Sequence, residues 1–220
     1  MIICPECGEL PKDGILIHSE KLRKQRFGHS PILPICKQCG SDVDIIHRCT
    51  DGDIIVLNGT CGSGKSTVAE ILVRRSFYAI DGDCVIQTLK HKKGVEKVSF
   101  QELAFYDEVG HELDILSMYG NRFVLAHVLK LEDMERYTKV FKSRNLRYHF
   151  FLLKPRYEVA VERCQTRTCH TSITPEQWIR HFYDLLVFDN SVEVVDNSDM
   201  TAEVTGDYIL EKCNLSNAIA

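Results

Sequence analysis

The chain has 220 residues, 44% of them hydrophobic, enough to bury a full core in one globular domain with a small appendage. Its net charge of −4 at pH 7 excludes an extended, charge-driven grip on nucleic acid or anionic membrane, while leaving room for a local basic patch. No apolar run approaches the roughly 20 residues of a membrane span, and Cys4 and Glu6 close behind Met1 are unlike a signal peptide, so a soluble, cytoplasmic protein is expected.

Residues 1–50 read as a small domain of their own. Cys4-Pro5-Glu6-Cys7 and Cys36-Lys37-Gln38-Cys39 are each followed at once by glycine. Two thiolates two residues apart form a knuckle whose sulfurs face one metal ion, and two knuckles complete a tetrahedral site. Cys4, Cys7, Cys36 and Cys39 are therefore expected to hold a structural Zn²⁺ in a zinc ribbon, with an iron centre of the same four-thiolate geometry as the alternative. With all four positions taken by cysteine, the metal has no open coordination site and no catalytic part. His47 and Cys49 lie just past the second knuckle, either as substitute ligands or as part of the connection to the next strand. Between the knuckles, Lys21, Arg23, Lys24 and Arg26 with Phe27 suit either a nucleic-acid contact or a solvated helix face. Residues 1–49 hold seven basic against six acidic residues, too even a balance for strong nonspecific binding.

From residue 51 to 220 the pattern alternates strand and helix. Apolar Ile54–Leu57 precedes Gly59-Thr60-Cys61-Gly62-Ser63-Gly64-Lys65-Ser66, and Thr67–Val73 then repeats apolar residues at helical spacing. Strand, glycine-rich loop and helix together are the setting of a phosphate-binding loop. Successive loop amides and the helix N-terminus face one anion, Lys65 reaches the β- and γ-phosphates, and the Ser66 hydroxyl ligates Mg²⁺. The chain is expected to bind ATP. A helix over 65–76 leads to a strand at Phe77–Ile80, which ends in Asp81-Gly82-Asp83. In an extended segment residues two apart point the same way, so both carboxylates would face the phosphate loop. One would bind Mg²⁺ and the other accept a proton from a substrate hydroxyl; an Asp-Gly-Asp turn with no chemical task is the alternative.

Helices near 84–91 and 100–118 follow, then a strand at Phe123–Val128, a helix at 131–144, a strand at Tyr148–Leu153, helices at 156–167 and 175–186, a strand at Val192–Val195 and a helix at 201–213. The fold class is α/β: a five-stranded, mostly parallel sheet with helices on both faces, joined by right-handed crossovers. Thr174-Pro175-Glu176-Gln177 reads as an N-cap, a first-turn proline and a reciprocal glutamine. The strand at 123–128 carries no aspartate at its end, and His127 there faces either substrate or core. Lys90, His91, Lys92 and Lys93 form a basic corner, to meet an anionic acceptor or simply water. Phe100, Leu103, Phe105, Tyr106 and Tyr119 are pocket walls or core.

The motif Gly59–Thr67, followed by Ile80-Asp81-Gly82-Asp83, resembles the adenylate-kinase-like group of small-molecule P-loop kinases, such as adenylylsulfate, gluconate and shikimate kinases and chloramphenicol phosphotransferase. The resemblance covers about residues 53–215. It implies that Asp83 meets the substrate hydroxyl as base and that Asp81 stands on the magnesium side. It also implies a mobile lid, about residues 163–175, whose Arg163 and Arg167 close over the triphosphate. The expected function is transfer of the γ-phosphate of ATP to a hydroxyl of a small molecule. Two other functions stay open: a nucleic-acid 5′-hydroxyl kinase guided by the ribbon, and an ATP-driven switch without an acceptor.

Overall fold

The computed structural model describes residues 52–97, 103–117, 120–166, 174–186 and 192–215. The expected zinc ribbon at 1–50, with Cys4, Cys7, Cys36 and Cys39, lies outside them, as do Arg167, Phe100 and Tyr119. Gly52–Asn58 (β1) is buried at all seven positions, a pattern that suits a central strand covered on both faces. It joins Tyr78–Asp81 (β2), Arg122–Ala126 (β3), Leu146–Leu153 (β4) and Glu193–Val195 (β5) in one sheet of order β2-β3-β1-β4-β5. All four pairings are parallel.

The helices are Lys65–Arg74 (α1), Gly82–Lys93 (α2), Leu103–Leu116 (α3), Leu131–Lys142 (α4), Tyr157–Thr166 (α5), Glu176–Leu185 (α6) and Ala202–Lys212 (α7). Alternate strand residues serve opposite faces. Ile54, Val56, Ile80, Phe123 and Leu125 pack with side chains of α2, α3 and α4 such as Leu89, Leu113 and Tyr137. Ile55, Leu57, Ala79, Val124 and Ala126 pack with Val68 and Leu72 of α1 and Ile209 and Leu210 of α7. Each fully buried side chain of this size contributes about 1.5–3 kcal/mol of transfer free energy, so the sheet is the most strongly held part of the fold.

This layering places the site. The chain leaves β1 for α1 on one face, and it leaves the adjacent β3 for α4 on the other. Connections that part in this way open a crevice at the carboxyl ends of the two strands. Among the described residues no helix is long and apolar enough to cross a membrane.

Two local expectations are corrected. The helix after β2 starts at Gly82, because the Asp81 side chain accepts from the amides of Asp83 and Cys84 and nucleates the first turn there. The segment Asp81-Gly82-Asp83 is thus a strand end passing into a helix, and the same-face argument for an extended turn does not apply to it. At the start of α6 the cap position is Pro175, with ψ of 137° and no side-chain cap hydrogen bond. Thr174 stands one residue too far back to serve as the cap.

A conventional cap does close the start of α7, where Thr201 Oγ1 accepts from the Val204 amide at 3.2 Å. Thr201→Ala should lower the unfolding free energy by about 1 kcal/mol in urea denaturation, with Thr201→Ser retaining most of it. An unchanged midpoint in the alanine variant would remove the cap from the account of this helix.

Candidate active site

The polar residue that ends β1 organises the loop beyond it. Asn58 is 2% exposed; its Oδ1 accepts from the amides of Gly59 (2.7 Å) and Leu129 (2.9 Å), and its Nδ2 donates to the Leu129 carbonyl at 2.9 Å. One carboxamide thereby fixes the start of the loop to the segment that follows β3. Thr60 Oγ1 donates to the Ile179 carbonyl of α6 at 3.1 Å, and Asn197 Nδ2, from the turn after β5, donates to the Ser63 carbonyl at 3.0 Å. Gly62 has φ of 77°, and a Cβ there would stand 2.0 Å from the Ala160 carbonyl oxygen of α5, so both its conformation and its surroundings require glycine. Gly64 passes into α1, and the Val68 amide returns to the Gly64 carbonyl at 2.9 Å.

Lys65 lies under this arch. Its Nζ donates to the carbonyls of Gly59 at 2.6 Å and Thr60 at 2.9 Å. Burial holds the ammonium below its ordinary pKa, against the opposing pull of Cys61, Asp83, Asp81 and Cys164. Both carboxylates therefore act on the lysine, although they approach it differently. Asp81 is 4% exposed and uses Oδ1 as the cap of α2, while Asp83 is exposed in the first turn of that helix, where its charge also suits the helix dipole. Ser66 is half-buried and Thr67 exposed at the start of α1. Among the described residues no group of three or more His, Cys, Asp and Glu side chains forms a metal site. Ser66 and Asp81 carry hard oxygens of the kind that Mg²⁺ prefers.

His127 belongs to the core. It is 6% exposed, with its ring 5.0 Å from that of Phe105 and 6.4 Å from that of Tyr137. A Cβ on Gly82 would fall 2.1 Å from His127 Nδ1, which accounts for the glycine between the two aspartates. Phe105 and Tyr106 are core as well, whereas Leu103 is exposed. In the basic corner, Lys92 is committed to both oxygens of Glu108 at 2.8 Å. Arg163 donates from one guanidinium nitrogen to the carbonyls of Asn197 (2.9 Å) and Ser198 (3.2 Å). The expected lid segment 167–173 lies outside the described residues.

Asn58 and Asn197 escaped the sequence reading. The signal for Asn58 was a polar residue closing a wholly apolar strand immediately before the loop; Asn197 carried none, since it meets Ser63 from 134 residues away.

Among solved structures, the tunicamycin resistance protein of Deinococcus radiodurans superposes with a TM-score of 0.58 at 18% identity, over 75% of this chain and 97% of that one. A sugar kinase from Janibacter sp. HTCC2649 gives a TM-score of 0.57 at 18% identity, over 77% of this chain and 99% of that one. The likeness at such identities is one of fold. No family model matches the sequence, and no curated protein does.

The buried histidine makes stability pH-dependent. Burial, with the Lys65 charge, pushes the His127 pKa down to about 3, from an unfolded value near 6.5. As pH falls below about 6.5 the unfolded chain takes up a proton that the folded protein refuses, so stability drops by about 1.4 kcal/mol per pH unit until it levels off near pH 3. Between pH 7.5 and pH 5.0, wild type should lose about 2 kcal/mol more in urea denaturation than His127→Gln. Equal losses would show that His127 is not buried neutral.

Proposed function

We propose that the chain is an ATP-dependent phosphotransferase that moves the γ-phosphate to a hydroxyl of a small-molecule acceptor. Its main support is the convergence of Lys65, Asp81 and Asp83 beside a phosphate-binding loop at the carboxyl edge of a parallel sheet. That a structural neighbour is a sugar kinase supports a hydroxyl-bearing acceptor.

In this mechanism the amides of Gly59, Thr60, Cys61, Gly62, Ser63 and Gly64, with the N-terminus of α1, bind the β- and γ-phosphates. Lys65 exchanges the carbonyls of Gly59 and Thr60 for phosphate oxygens. Ser66 and Asp81 would hold Mg²⁺, and Thr67 completes the nucleotide contacts. When bound, Mg²⁺ neutralises charge on the phosphates. Asp83, open to solvent at the start of α2, orients the acceptor hydroxyl and takes its proton. Arg163 keeps donors beyond those spent on the Asn197 and Ser198 carbonyls, and with Arg167 it steadies charge on the transferring group and excludes water. Residues 51–220 form the kinase domain. A Cys4–Cys7–Cys36–Cys39 ribbon with structural Zn²⁺ precedes it over 1–50.

Transfer of label from γ-labelled ATP into pooled metabolites and, separately, 5′-hydroxyl oligonucleotides tests the chemistry. Asp83→Asn should reduce turnover about 10²–10⁴-fold with ATP binding retained, and Lys65→Ala should lose both. Label only on oligonucleotides would move the acceptor to nucleic acid, and ATP binding with no labelled acceptor at all would replace the kinase with a nucleotide switch.

Elemental analysis of chain purified without chelator should find about one zinc per molecule, and far less in Cys36→Ser. Iron in its place would reassign the metal, and a metal-free wild type would remove the ribbon.

A further inference from the structure

We propose that Cys61 and Cys164 form a peroxide-sensitive dithiol, whose closure to a disulfide ties the phosphate loop to α5 and shuts off nucleotide binding. The inference deepens the function proposed above and rests on it for the consequence, though not for the chemistry of the thiols.

The phosphate loop is held between two helices at the residues on either side of Cys61. Thr60 donates to the Ile179 carbonyl of α6 at 3.1 Å, and Gly62 lies so close to the Ala160 carbonyl of α5 that a Cβ would reach within 2.0 Å of it. Cys61 itself packs against the small cluster of Ala160, Cys164 and Ile179. Cys164 stands one helical turn beyond Ala160, so the turn of α5 that touches Gly62 also carries the second thiol. The two thiols differ in access: Cys61 is half-buried and Cys164 is 0% exposed. The junction holds both thiols in one small cluster, and a disulfide would bring the sulfurs to about 2.05 Å.

The chemistry needs one two-electron oxidant, hydrogen peroxide. The Cys61 thiolate attacks a peroxide oxygen; an S–O bond forms, the O–O bond breaks, and the departing hydroxide takes a proton to become water. Cys164, as thiolate, then attacks the Cys61 sulfur of the sulfenic acid; an S–S bond forms, the S–O bond breaks, and a second water leaves. Two thiols lose two electrons to one peroxide, which ends as two waters. The bond would draw residue 61 onto α5 beyond its present packing and displace the loop backbone whose amides are proposed to meet the phosphates. A thiol reductant reverses the closure.

The test uses the full reduced chain, treated with hydrogen peroxide, capped with iodoacetamide and mapped by peptide mass spectrometry, with binding of a fluorescent ATP analogue followed in parallel. The expected result is a Cys61–Cys164 linked peptide, an affinity weakened by at least about tenfold, and recovery on dithiothreitol. Cys164→Ser should bind the analogue normally when reduced, form no such link, and leave Cys61 as a sulfenic acid that dimedone traps; Cys164→Ala repeats this should serine disturb packing. Pairing of Cys61 with Cys84, Cys169 or another thiol overturns the proposal, as does a Cys61–Cys164 link with unchanged affinity. If reduced wild type fails to bind the analogue, the nucleotide site falls, and the peptide map still decides whether the dithiol exists.

Discussion

The phosphate loop depends on being tied down by side chains and backbones that come from every layer around it. A chain that turns back on itself to aim its amides at one point gains little from its own hydrogen bonds, so its shape has to be imposed from outside. Here Asn58 anchors the start to the segment after β3, Thr60 reaches α6, Gly62 lies against α5, and Asn197 holds the carbonyl of Ser63 from the turn after β5. These restraints are spread over more than 130 residues of sequence. Local unfolding of any one of α5, α6 or the 196–199 turn would therefore loosen the loop before it disturbed the sheet.

The same economy governs the two aspartates. Asp81 is both the last residue of β2 and the cap of α2, so its carboxylate is oriented by the helix it starts. Asp83 follows in the first turn and stays open to solvent, while Gly82 between them makes room for the His127 ring. A single three-residue step thus ends a strand, begins a helix, packs a core histidine and delivers two charges to the neighbourhood of Lys65. Groups held in this way need not reorganise as charge moves past them, which suits the phosphoryl transfer proposed above.

How much of this was legible beforehand varied with the range of the interactions. β1, α1 and the glycine-rich loop between them are plain in the sequence because apolar runs, glycines and a lysine fall next to one another in the chain, and their physics is local. The expected helix at 131–144 and the observed Leu131–Lys142 differ only at the end, as fraying makes usual. The segment 81–83 reads as an extended turn in the sequence but starts a helix, because an Asp at the cap competes with the turn and only the hydrogen bonds from the Asp83 and Cys84 amides show which prevails. The sequence around His127 allows both substrate and core, and its burial beside Phe105 and Tyr137 is a matter of packing between β3, α3 and α4.

Composition and pattern alone were enough for the α/β class, the five strands, the glycine-rich loop between β1 and α1 and the two aspartates after β2, since each is written in neighbouring residues through period and turn chemistry. The strand order β2-β3-β1-β4-β5, the crevice it opens, the burial of His127, and the meetings of Thr60 with Ile179 and Ser63 with Asn197 came from folding. Pairings between distant segments are selected by how two apolar faces and many hydrogen bonds are satisfied at once, and no window of sequence contains that sum.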